Sequence, residues 1–283
     1  MPEAPALWEP ISAPAPTLRL TLPPPPPDFN GIASQPNNGL NSNYWTILDG
    51  YVQTQYDMAC YTASNAYAEN GNLVIRTRAE KVTCVDGGVN PTNQTREYLY
   101  TSGFVDTVGK VAVRNGRVEI RAKLPPPTLR IWPAGWTIST QNQRDKGTLC
   151  WPLSTEIDLY EVAGGFFAPG PLGGNAMCSS YHWGTQCFDD LGRYQTGCLS
   201  MTALPSSSAL PWYSDDFHTY SVEWTDQEIT WAINDVVYFS ANKGRFPGIT
   251  LPVPDAQELK LNTAVAWWID GPPGEFCSEA RAA

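Results

Sequence analysis

The chain has 283 residues, 28 acidic against 18 basic side chains, a net charge of −10, and 16% charged residues beside 11 Trp and 13 Tyr. A negative surplus is the wrong sign for a phosphate backbone or an anionic bilayer surface, so neither nucleic acid nor membrane is an expected partner. The length allows one large domain or two smaller ones, and 23 Gly and 26 Pro with so many aromatic residues suit an all-β protein with long loops.

Residues 1–27 end in "LPPPPP" and read as an extended, Pro-rich arm or linker. From Asp28 onward the pattern becomes strand, turn, strand. "NLVIRTRAE" at 72–80 follows the turn "ENG", and "GRVEIRAKL" at 116–124 alternates, with Val118, Ile120, Ala122 and Leu124 on one face and charged residues on the other. "RIWPAGWTIST" at 130–140 is strand-like, and Pro133 in it points to an edge or a bulge. "STEIDLYEV" at 154–162 follows a polar loop. Residues 218–240 read as three strands, 218–224, 228–233 and 236–240, with "TDQE" and "ND" as turns, and "ELKLNTAVAWW" at 258–268 is another strand. Short strands at this spacing predict an all-β fold, an antiparallel β-sandwich of jelly-roll type, in a single domain over 28–283 without internal repeats.

Seven cysteines without a CxxC pair, and only two His, argue against a Cys/His zinc site and for about three disulfides with one cysteine over. Cys178, Cys187 and Cys198 are close enough in sequence to pair locally. Disulfides and the sequon at Asn93 fit an oxidising, secreted or extracellular setting such as a cell wall. The start "MPEAPALWEPISAPAP" lacks the basic head and apolar centre of a signal peptide, and no apolar run reaches membrane-spanning length.

The stretch "STEIDLYEV" places Glu156, Asp158 and Glu161 in an otherwise buried strand. An unpaired buried carboxylate costs several kcal/mol. On a regular strand Glu156 and Asp158 share a face and Glu161 points the other way. One extra residue bulging near Leu159–Tyr160 resets the alternation and puts all three on one face. The two Glu Cα atoms then stand roughly 13 Å apart, at about 3.3 Å per residue. Their side chains can lean to the separation of about 5–5.5 Å that retaining glycoside hydrolysis requires, one carboxylate attacking the anomeric carbon and the other serving as acid and then base. Asp158 between them can hydrogen-bond one Glu and share its protons. Solvated acids on an edge strand, or a calcium site, are the other readings of an acidic triplet.

The triplet, written E-[ILV]-D-x-x-E, resembles the signature of the bulged, laminarinase-like branch of glycoside hydrolase family 16, the endo-β-1,3-glucanases. Further blocks resemble that family in family order: "ENGNLVIRTR" (69–78), "YTSG" (100–103), "GRVEIRAKLP" (116–125), "IWPAGWTI" (131–138), "WPLSTEID" (151–158), "YHWG" (181–184), "DFHTYSVEWT" (216–225) and "LKLNTAV" (259–265). The resemblance covers residues 28–270 and implies a jelly roll with a long substrate cleft on its concave face. It implies a retaining, endo-acting enzyme on β-1,3-glucan (laminarin-like) or mixed-linkage β-glucan, with no required cofactor and no catalytic metal, room for a structural calcium, and a monomer. By position, Glu156 matches the nucleophile, Glu161 the acid/base and Asp158 the assisting carboxylate. Trp136, Trp151 and His182 match substrate-binding positions.

Two departures stand out. "AVAWWIDGPPG" replaces a family "AVGG" that is followed by a Trp, so Trp267 or Trp268 takes that substrate-binding role. A closing strand resembling "VDYVRVY" is missing from this sequence; either the chain is a fragment or the strand comes from elsewhere, for instance the N-terminal arm. The alternatives on the same fold are a non-catalytic β-glucan-binding protein, which retention of all three acids disfavours, and a glucan transglycosylase.

Overall fold

The computed structural model describes residues 29, 31, 33–53, 57–85, 95–125, 131–162, 177–185, 196–203 (backbone only), 214 and 216–265. The Pro-rich arm, the Asn93 sequon, Cys187, Cys277 and Trp267 lie outside the described residues. In chain order the strands are β1 (Thr46–Ile47), β2 (Ala59–Tyr61), β3 (Ala66–Glu69), β4 (Asn72–Ile75), β5 (Arg78–Val85), β6 (Thr95–Ser102), β7 (Phe104–Asp106), β8 (Ala112–Val113), β9 (Gly116–Ala122), β10 (Ile131–Ser139), β11 (Glu156–Glu161), β12 (Met177–Gly184), β13 (Thr196–Ala203), β14 (His218–Trp224), β15 (Glu228–Ile233), β16 (Val236–Asn242) and β17 (Gln257–Val265).

The protein is an all-β sandwich of jelly-roll type. The large sheet runs β1-β7-β17-β10-β11-β12-β13, with β8 also on β17, and the opposing sheet runs β16-β15-β14-β9. Every pair in these two sheets is antiparallel; the parallel pair, β2 with β6, belongs to a small sheet of β2, β6 and β5. The main core lies between the two large layers. Ile157, Leu159 and Tyr181 from β11 and β12 meet Tyr220, Trp224 and Trp231 from β14 and β15, and each is at most 1% exposed. Period-two alternation sends Ile157 and Leu159 of β11 inward and Glu156 and Asp158 outward.

The three strands expected over 218–240 form with the expected turns. Asn234 and Asp235 both take positive φ (49° and 63°), the geometry of a type I′ hairpin turn. Two expectations need correction. The stretch 72–80 is two strands that part at Arg76–Thr77 and join different sheets. Pro133 marks neither a sheet edge nor a bulge on its own strand: β10 is a central strand, paired with β11 and β17. The carbonyl of Pro133 accepts from Val162 N–H, so its absent N–H faces β11 just where that strand ends, and no ladder bond is forfeited in mid-strand.

Cys60 and Cys84 form a disulfide, and Cys150 is also disulfide-bonded. Local pairing of Cys178 does not occur. Its thiol is buried on β12, on the same face of the strand as Ser180 and His182.

Candidate active site

The site is built on β11 and its two neighbours. Along β10, Ala134, Trp136 and Ile138 pair with Glu161, Asp158 and Glu156. Along β12, Cys178, Ser180 and His182 pair with the same three acids. Both neighbouring strands advance by two residues at each step, so the three carboxylates share one face of the sheet. The register shifts between Asp158 and Glu161, where Leu159 and Tyr160 together oppose Ser179. This is the bulge expected at Leu159–Tyr160, and it converts the odd spacing of Glu161 into alignment.

A bulge leaves ladder groups without their regular partners, and here side chains supply them. Trp231 Nε1, reaching from β15 through the core, donates to the Asp158 carbonyl at 2.9 Å. Ser179 Oγ donates to the Leu159 carbonyl at 2.6 Å and also contacts Tyr238 Oη at 2.5 Å. Gly135 gives the bulge room on the β10 side.

The polar contacts then converge. His182 Nε2 lies 3.1 Å from Asp158 Oδ2 and 3.8 Å from Glu156 Oε1. Ser180 hydrogen-bonds the Asp158 carboxylate and favours its ionised form, and the Trp132 side chain does the same, more weakly than burial opposes it, for Glu161. Asp158 is 3% exposed in its side chain and Glu156 19%. Burial, then the charge of Asp158, raises Glu156 to about 7, with His182 opposing the rise. Burial raises Asp158 to about 8. Glu161 is held well above the usual carboxylate range by burial first and then by the charges of Asp158 and Glu156. Three acids that perturb one another in this way share their protons as a group.

Glu156, Asp158 and His182 offer ligand atoms within 4.8 Å of one another. An imidazole and two carboxylates are a poor match for calcium, which takes about six to eight oxygen ligands.

Trp151 is half-buried, with its ring centroid 5.5 Å from that of His182. Trp136 is 7% exposed; its Nε1 donates to Asn262 Oδ1 at 2.8 Å, and its ring packs among Tyr61, Phe104 and Ile138. It forms the floor beside the acids more than an open platform. Four residues on this face were missed in the sequence: Trp132, Lys260, Asn262 and Tyr61. Trp132 was legible, since it stands four positions before Trp136 on the same strand. Lys260 and Asn262 oppose Trp136 and Ala134, a pairing that no local pattern reveals.

The model described as glycosyl hydrolases family 16 matches residues 190–274. The chain is 30% identical over 223 residues to a glucan endo-1,3-beta-glucosidase of Cryptopygus antarcticus, covering 77% of this chain and 68% of that protein. The chain belongs to glycoside hydrolase family 16. Another relative of this family 16 chain is the beta-glucanase of Rhodothermus marinus, 32% identical over 212 residues, 74% of this chain. The match spans 61% of that relative's length. Among solved structures, the laminarinase catalytic domain of Thermotoga maritima superposes with a TM-score of 0.59 at 26% identity, over 84% of the family 16 chain and 87% of its own.

Proposed function

We propose that this chain is a retaining, endo-acting glycoside hydrolase that cuts β-1,3-glucan, either laminarin-like or of mixed linkage. The observation that carries the reading is the bulge at Leu159–Tyr160, which gathers Glu156, Asp158 and Glu161 on one face. The names of the relatives, beta-glucanase, glucan endo-1,3-beta-glucosidase and laminarinase, support a glucan substrate.

In the first step Glu156 attacks the anomeric carbon as the glycosidic C–O bond breaks, and Glu161 gives its proton to the leaving oxygen. In the second, Glu161 takes a proton from water, whose oxygen displaces Glu156 from the sugar. The raised affinity of Glu161 for its proton suits it to the acid role. Glu156 must be ionised to attack. His182, when protonated, favours that form, and Asp158, held by Ser180 and His182, can keep the shared proton away from Glu156. Trp151 beside His182 offers a ring face for the neighbouring sugar, and Trp136 supports the floor.

This chemistry needs no cofactor. The disulfide-bonded Cys60, Cys84 and Cys150 favour an oxidising, extracellular setting, and we read the protein as a secreted monomer acting on polysaccharide.

The test is hydrolysis of laminarin and lichenan, followed by reducing ends and by the anomer first released. Parent protein should release the β-anomer, and Glu156→Gln and Glu161→Gln should each lose at least about a thousandfold in kcat/KM, about 4 kcal/mol of transition-state stabilisation. Laminarin binding by the parent without bond cleavage, or substantial activity in Glu156→Gln, would sink the reading.

A further inference from the structure

The sandwich carries an open slot away from the acids. Among the described residues β4 hydrogen-bonds to β3 alone and β9 to β14 alone. Each therefore presents an unpaired edge, and a groove of about 780 Å³ is lined by both strands. Its floor is apolar: Leu73, Ile75, Ile120, Leu259 and Leu261. Ile120 packs against the main core and also against a second cluster around Trp45 and Val105. The two clusters meet there, with no backbone of the described residues between β4 and β9. Trp45, which lines the groove and is 4% exposed, keeps its indole N–H buried with no acceptor among the described residues. Two open edges over an apolar floor are a template for one more strand.

We propose that Thr17–Leu22 of this same chain fills the groove as a β-strand between β4 and β9. The segment reads T-L-R-L-T-L, with Pro16 before it and Pro23 after it. Its period-two pattern sets Leu18, Leu20 and Leu22 on one face and Thr17, Arg19 and Thr21 on the other, which suits a slot with core on one side and water on the other. Six residues extend about 20 Å, comparable to the run of β9. The geometry of the chain permits it. Phe29, the first described residue, already lines the groove, with its ring centroid 5.9 Å from that of Trp45. The six residues between, five of them Pro, reach about 19 Å as a polyproline helix. On the outer face Arg19 comes beside β9, where Glu119 is exposed. A backbone carbonyl of the added strand can accept the Trp45 N–H. Tyr160 also lines the groove, so the strand would brace the bulge from behind.

The test uses the full chain. In Leu18→Asp/Leu20→Asp the facing amides of β4 and β9 should exchange at least tenfold faster than in the parent, and Tm should fall. Leu7→Asp, in the same arm but outside the segment, should change neither. Equal protection of β4 and β9 in the double variant and in Leu7→Asp would overturn the proposal, because another segment would then hold the groove. A second measurement does not depend on stability. With benzoylphenylalanine in place of Leu20, light should cross-link this position to β4 or β9 of the same molecule. Cross-links to other elements, or to a second copy of the chain, would overturn it.

Discussion

The Tyr160 ring lies against the α-carbon of Gly135: a methyl group there would come within 2.5 Å of Tyr160 Cε1 and 2.9 Å of Ile120 Cδ1. The ring belongs to the bulge that aligns the acids, and the bare backbone belongs to the strand beside it. Tyr160 also packs at a tilt against Tyr220 across the core, with centroids 4.9 Å apart, so it has little space to retreat into.

Gly135→Ala should therefore displace Tyr160 and loosen the bulge. Overpacking of this kind costs about 1–3 kcal/mol. We expect a lower denaturation midpoint and a loss of glucan hydrolysis of tenfold or more. The pair Gly135→Ala/Tyr160→Phe should fare no better, because the ring and not its hydroxyl makes the clash. Unchanged activity and midpoint in Gly135→Ala would count against this account.

Trp231 acts on the site from the opposite sheet, through its bond to the Asp158 carbonyl. Trp231→Phe keeps most of the apolar volume and removes the donor, leaving a buried carbonyl without it at a cost of about 1–3 kcal/mol. A merely structural role predicts only a lower Tm. A positioning role predicts in addition a lower kcat with KM little altered, and steady-state kinetics at a temperature well below Tm separates the two.

The acids make stability depend on pH. Glu156 and Asp158 rise from ordinary values of 4.5 and 3.8 to about 7 and about 8 when the chain folds. The folded state therefore binds their protons more tightly than the unfolded state does. The contribution is fully present below about pH 4 and is lost as pH climbs through 7 to 8. Tm should fall from pH 5 to pH 8, and Glu156→Gln should flatten that fall, gaining roughly 1–3 kcal/mol on the parent at pH 8. Melting curves across this range decide it; a Glu156→Gln profile parallel to the parent would contradict the coupling.

Lys260 is the cation of the same face, 5% exposed, 3.1 Å from Asp145 and 3.8 Å from Asp106, with its Nζ 5.7 Å from the ring centroids of Phe104 and Trp136. Lys260→Met removes one partner and leaves Asp106 buried, so the loss should be about 3–5 kcal/mol. Lys260→Met/Asp106→Leu, which removes both charges, should recover part of it. Denaturant titration of the three proteins measures the difference.

Much of this was legible beforehand because it is local. The β-strands of 218–240 follow from alternation and from an Asn-Asp turn that tolerates positive φ. The bulge was legible because three acids in an apolar strand make sense only on one face, and five positions is the wrong parity for that. Pro133 misled because its sequence neighbours do not tell which side of the strand its missing N–H faces. Cys178 misled because nearness in sequence says nothing of direction once a strand fixes the side chain. The residues around the acids were harder still. Trp231 lies 73 positions from Asp158 and Lys260 lies 115 from Asp145, and only packing of one sheet on another brings such pairs together.

The amino-acid order alone was enough for the fold class, the strand pattern and the grouping of Glu156, Asp158 and Glu161, since each depends on spacing along a single strand. The proton affinities of those acids, the donors that hold the bulge and the open edges of β4 and β9 depend instead on desolvation and hydrogen bonding between distant segments. Those are set by which surfaces come to lie against each other, and they exist only once the two sheets have closed.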